Sequence, residues 1–472
     1  MQLMRHQEEG VGFLLAQGSG LLAFEQGLGK TLVAIEAFQR LLQSAKAKRL
    51  VVVCPNHLKR NWVAELDKFA RELDAEIIEG RAAVRRRALS RTVATVVIMS
   101  YETARAEITG VIALLKRALT VLVLDECHAV KNRGSLTSTA AQHFAPAAAY
   151  RWLLSGTPVT NRAVDLYAQI GIVAAGSPLG SYESFVDTYD DNPSSESSTG
   201  SPNSLGKRVA PYLLRRTKEQ CLDLPEKTFV DIRVELPEWQ RRLYDDVRDG
   251  IVREVEPMSG DQFRIFAGTA LTRLLRLSQI ASNPQLVFPG EVNVPGKVIE
   301  LDSLIDEIVR TNGRKVILWS PYVKTIQALE QRYADVSAAS LYGGTPVEER
   351  QAIAHRFQSD PALRLLVGNP AAAGSGFTLT AASFTIYESL TWRYDYYAQS
   401  QDRNHRIGQT QPVTYLRLVA VDTIEEVILA ALERKGTLAR SLLGDTTAPP
   451  ALAEMSPKAF CEMLLANQLP KA

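Results

Sequence analysis

Three short stretches of this chain carry the residue types that phosphate chemistry requires. The first is Gly27-Leu28-Gly29-Lys30-Thr31, which follows the apolar run Gly20–Phe24 and precedes the helical pattern of Leu32–Leu42. Glycines let backbone N–H groups close on phosphates, and a helix N-terminus adds a favourable dipole. Lys30 neutralises charge there, and the Thr31 hydroxyl suits Mg²⁺. Phe24 holds the place of the first glycine in the strict phosphate-loop spacing. The second stretch is Val121–Leu124 followed by Asp125-Glu126, an apolar strand ending in adjacent carboxylates. Carboxylates at the C-terminal edge of a parallel sheet face the ligand crevice. Asp125 is placed to hold Mg²⁺ through water, and Glu126 to polarise an attacking water as general base. The third is Gln399–Gln409, in which Arg403 and Arg406 stand three apart. That spacing predicts one helix face, from which both could meet charge developing on a γ-phosphate.

The elements that must position these groups follow from periodicity. Short runs rich in Val, Ile and Leu alternate with helical segments, the pattern of a parallel sheet covered on both faces. The pattern occurs twice, with strands expected at 50–54, 95–99, 121–124 and 151–154, and again at 315–319, 363–367, 384–387 and 413–416. The fold class is therefore α/β, with two tandem lobes and helical insertions near their junction. The first lobe is expected over 1–215, the junction and helical insertion over 216–296, the second lobe over 297–444 and a tail over 445–472. The segment Asn192–Ser204 is polar and rich in Ser and Pro, so an exposed loop is expected there. The stretch from Trp239 to about Leu286 reads as helices projecting from the sheets.

Bulk properties set limits. A formal charge of +2 gives no global signal for nucleic acid. The basic cluster Arg81, Arg85, Arg86, Arg87 and Arg91 reads as a solvated helix face. Cys54, Cys127, Cys221 and Cys461 lack the paired spacing of disulfide or zinc frameworks. Neither a signal core nor a membrane-spanning run is evident, so a cytoplasmic, monomeric protein with no membrane partner is expected.

Further strings carry a resemblance. In chain order they are Leu3–Gln7, Val53–Asn56 with Asn61-Trp62 and Glu65, Asp125–Asn132, Leu154–Asn161, Leu213–Lys218 with Leu224–Thr228, Gly374–Thr380, Trp392, Asp402–Gln409 and Thr423–Glu426. Together they resemble the Swi/Snf family of superfamily-two ATPases, over nearly the whole chain. The resemblance implies two RecA-like lobes with ATP and Mg²⁺ bound between them. It implies nucleotide contacts from Gln7, Gly27, Leu28, Gly29, Lys30, Thr31 and Gly376, and metal contacts from Thr31 and Asp125. Catalysis would fall to Lys30, Asp125, Glu126, Arg403 and Arg406. Translocation on double-stranded DNA, largely independent of sequence, is the implied output, with strand separation or displacement of a DNA-bound protein as rivals. His128 reads either as a strand terminator or as a link between lobes. Trp62 and Trp392 read equally as core residues or nucleic-acid contacts. Phe24, Gln26, Cys127, Thr378 and Trp392-Arg393-Tyr394 depart from the family pattern, and none removes a charged catalytic group.

Overall fold

Thirteen parallel strands, formed where apolar runs escape the helical period, build two sheets in the computed structural model, which describes residues 3–160, 162–174, 177–189, 202–255, 272–291, 293–375 and 377–443. Contacts divide the chain into two compact units, one centred on residues up to Asp223 and the other on Leu224–Arg434.

The first unit has a seven-stranded sheet in the order β3-β4-β2-β5-β6-β1-β7. The strands are β1 (Ser19–Phe24), β2 (Arg49–Cys54), β3 (Ala75–Ile78), β4 (Val96–Ser100), β5 (Thr120–Asp125), β6 (Tyr150–Leu154) and β7 (Leu213–Arg216). Every residue of β4 and β5 is buried, which explains the apolar runs Val96–Met99 and Val121–Leu124 at their centres. The edge strands β3 and β7 are partly exposed and mix charge with apolar residues, so periodicity did not reveal them. Three helices matter below: α1 (Arg5–Gln17), α2 (Lys30–Gln43) and α3 (Lys59–Phe69). The apolar faces of α2 and α3 close a core with Val33, Phe38, Trp62 and Leu66 against Val52, Val123 and Trp152.

The second unit has six strands in the order β10-β11-β9-β12-β13-β8. They are β8 (Lys227–Val234), β9 (Val316–Trp319), β10 (Ala338–Leu341), β11 (Leu365–Gly368), β12 (Phe384–Tyr387) and β13 (Val413–Ala420). Helices lie at Glu238–Val255, starting one residue before the stretch expected to be helical, and over 272–282 within it. They do not stand off from the sheet. Tyr244, Leu274, Leu277, Ile280 and Ala281 join a core with Ile317, Trp319 and Leu366, because the apolar stripe of each helix has to be buried somewhere. Most of the segment Asn192–Ser204, the tail from 445 and Cys461 lie outside the described residues.

Candidate functional site

Sheet order gathers the first two sequence signals. β5, β6 and β1 are neighbours, with Asp125 in register with Leu154 and Leu154 in register with Leu22. Three loops therefore leave the same edge side by side: the carboxylate turn after β5, the Ser155–Thr160 loop after β6 and the glycine turn after β1.

The glycine turn needs its glycines. Gly27 and Gly29 have φ of 86° and 82°, a left-handed conformation that side chains with Cβ disfavour. A Cβ on Gly29 would also meet Gln7 Nε2 at 2.5 Å and displace that amide. Lys30 and Thr31 open α2. Lys30 Nζ donates to Phe24 O at 3.0 Å, and a Cβ on Gly156 would lie 3.5 Å from that ammonium. The start of α1 is fastened to the same turn. Gln7 Nε2 donates to Leu28 O at 3.4 Å, and His6 Nε2 lies 3.1 Å from it. Gln7 Oε1 accepts from Met4 N. Leu28 itself is buried. Phe24, the departure at the first glycine position, is fully buried and meets His6 edge-on. Gly10 leaves the space it fills, because a Cβ there would sit 3.0 Å from the Phe24 ring.

Asp125 is buried at the end of β5. Its Oδ1 accepts from Glu126 N at 2.9 Å and its Oδ2 from the indole N–H of Trp62 at 2.8 Å. The Tyr101 hydroxyl donates to the Asp125 carbonyl at 2.9 Å. Burial pushes the Asp125 carboxyl up to about 6 and the neighbouring Glu126 charge pushes the same way, against the Trp62 hydrogen bond and the Lys30 charge. Glu126 adopts φ 49° and ψ 53°, and its Oε2 lies 3.2 Å from His128 Nδ1. Trp62 is thus a core residue that also steers a site carboxylate, a role sequence left open. Only a distance map could have found it, since Trp62 and Asp125 are 63 positions apart.

A further neighbour entered the sequence reading only within the Leu213–Lys218 string. β7 pairs with β1, and Arg215 donates to Ala23 O at 2.9 Å, to Gly156 O at 3.4 Å and to Glu25 at 3.0 Å. Lys218 N donates to the other Glu25 oxygen. Arg215 therefore braces the entry to the glycine turn against the loop after β6.

The arginines lie in the second unit. The helix Tyr394–Gln401 ends before them, so Arg403 and Arg406 sit in a turn and not on the helix face expected. Asn404 ends the helical run by turning inward, fully buried, to Thr385 and to the Tyr415 hydroxyl. The turn still brings both arginines to one point: each donates to Phe377 O, at 3.5 and 3.4 Å. Phe377 borders Gly376, the remaining expected contact, which lies outside the described residues. Trp392 packs partly buried against the second core. In the basic cluster, Arg85 and Arg86 both pair with the buried Glu107.

No helix among the described residues is long and apolar enough to cross a membrane. The model of the SNF2-related domain matches residues 6–286, and that of the helicase conserved C-terminal domain matches 297–408. The chain is 30% identical to an uncharacterized ATP-dependent helicase of Mycoplasma genitalium, over 93% of this chain and 42% of that protein. It is 27% identical to the ISWI chromatin-remodeling complex ATPase of Saccharomyces cerevisiae, over 92% of this chain and 40% of the relative. Identity to a DNA annealing helicase and endonuclease of Bos taurus is 25%, over 94% and 40%. The chain thus spans about two fifths of the length of these relatives.

Proposed function

This chain belongs to the SNF2-related family, and from that premise we propose that it is an ATPase that uses hydrolysis to move along double-stranded DNA. The observation that carries the ATPase reading is the shared edge of β5, β6 and β1, which sets a glycine turn with its lysine beside a pair of carboxylates.

In this reading ATP phosphates lie over the turn Gly27–Gly29, with Leu28 contributing its backbone, Lys30 on the β and γ oxygens, and Gln7 on the adenine. The residues suit Mg²⁺: the Thr31 hydroxyl and the Asp125 carboxylate are hard oxygen donors, and burial beside Glu126 makes that pocket favour a cation. Held by Thr31 and Asp125, such an ion would neutralise charge developing on the phosphates. Glu126, beside Asp125 at the end of β5, accepts the proton of the attacking water. Arg403 and Arg406 are the residues assigned to the γ-phosphate during turnover.

The DNA part of the proposal is supported by the relatives, one of which is a DNA annealing helicase, and by the string Leu213–Lys218 with Leu224–Thr228. Binding through phosphates should be salt-sensitive and largely independent of sequence. The test is ATPase activity with no nucleic acid, single-stranded DNA, duplex DNA and RNA, with Glu126→Gln as control. Stimulation by duplex above the other three, lost in the variant, is expected. Equal or greater stimulation by a single strand would overturn the duplex assignment, and activity surviving in Glu126→Gln would overturn the site.

A further inference from the structure

Glu126 stands in the left-handed region, where a residue with Cβ stays only if its surroundings overdetermine it. The next residue supplies the constraint. Cys127 is fully buried, and its thiol donates to Oε1 of Gln169 at 3.0 Å. Gln169 lies on the helix Asp165–Val173, among the buried residues Leu166, Ile170 and Ile172. Its own side chain is fully buried and donates to Pro158 O at 2.7 Å and to Asp165 O at 2.6 Å. An amide in that apolar helix carries a desolvation cost, which these three bonds offset. One helix turn back, Asp165 accepts from the backbone N–H and the hydroxyl of Thr160, at 2.9 and 3.1 Å. Lys131 reaches both Thr160 and Asp165. The carboxylate turn and the loop after β6 are thus fastened to a single helix, with the Gln169 amide spanning both.

We propose that Gln169 is a positioning residue for hydrolysis, holding Glu126 in its left-handed turn through Cys127 and fixing the loop after β6 through Pro158. That loop includes Gly156, which packs beside Gln26, so Gln169 ties the general base's turn to the loop after β6. None of its bonds reaches the glycine turn itself, so the seat for the nucleotide is independent of it. The proposal rests on the ATPase reading above and adds a residue that no motif contains.

The experiment compares the full chain with Gln169→Met, Cys127→Ala, Cys127→Ser and the double variant Cys127→Ala/Gln169→Met. It measures steady-state ATPase, binding of a fluorescent ATP analogue and thermal melting. Misplacement of a reacting group can lower rates by up to ~100-fold. Gln169→Met and Cys127→Ala should each lower kcat by at least ~10-fold, with KM and analogue affinity held within about twofold. Cys127→Ser, which keeps a donor, should recover most of the rate, and the double variant should be no slower than Gln169→Met alone. Wild-type turnover in Gln169→Met, a KM rise that matches the loss, or single effects that simply multiply would each overturn the proposal. If Gln169→Met fails to fold, the Cys127→Ala and Cys127→Ser pair decides by the same criteria. A wild type without turnover under any nucleic acid would remove the ATPase reading together with this role; an active wild type with indifferent variants removes this role alone.

Discussion

The two units place acidic residues near sheet edges in opposite ways. In the first, Asp125 and Glu126 are adjacent, and burial and mutual repulsion raise the Asp125 carboxyl. In the second, Glu425 and Glu388 are fully enclosed with their partners. The Lys297 ammonium, itself fully buried, donates to Glu425 Oε1 and to the Glu388 carbonyl, both at 2.6 Å. Ser389 and the backbone N–H of Ala420 complete Glu425. Ser282 and Ser320 donate to the two oxygens of Glu388; burial pushes that carboxyl up, while Lys297 and the hydroxyls oppose the rise. The second cluster is closed by its own chain. In the function proposed above, the first holds charge that a cation would meet, which would separate a polar core from a site.

The sharpest break of that comparison is Glu126→Gln. Removing a general base costs ~10²–10⁴ in rate, so turnover should fall by that range while a fluorescent ATP analogue still binds. Retained turnover would erase the distinction between the clusters. Lys297→Met tests the other side, since deleting one partner of a buried pair strands its charge. It should cost about 3–5 kcal/mol in denaturant unfolding, and a neutral effect would show that Glu425 does not depend on Lys297.

A smaller effect of opposite sign is expected at Asp125. Its folded pKa, about 6, lies above the ordinary 3.8. The unfolded chain therefore loses its proton first as pH rises, so this carboxyl costs stability above pH 4, with the full cost present once the pH exceeds 6. Asp125→Asn should raise the stability of the nucleotide-free protein by about 1–3 kcal/mol at pH 7.5, with the gain shrinking toward pH 4.5. Melting curves at the two pH values check it; a variant less stable at pH 7.5 would contradict the assigned strain. The smallest effect belongs to the exposed pair Arg310–Asp335 at 2.9 Å. Arg310→Ala should change stability by no more than about 1 kcal/mol and lose that difference in high salt.

Residue types and local order settled much of this protein. The strands over 50–54, 121–124, 384–387 and their companions were legible because their residues are buried on both faces, which leaves an apolar run. The glycine turn and the turn at Asp125-Glu126 were legible as local geometry because each is built from neighbours in sequence. The edge strands β3, β7 and β8 were not, since an edge tolerates charge and so loses the pattern. Tertiary structure alone decided the rest. Trp62 meets Asp125, Arg215 braces Ala23 and Gly156, and Gln169 spans Cys127 and Pro158, because the strands stand in an order that the chain does not follow. The arginine spacing fitted a helix, yet burial of Asn404 and Tyr415 favoured a turn. Sequence fixes which groups are available within a few residues; packing of nonconsecutive strands fixes which of them touch.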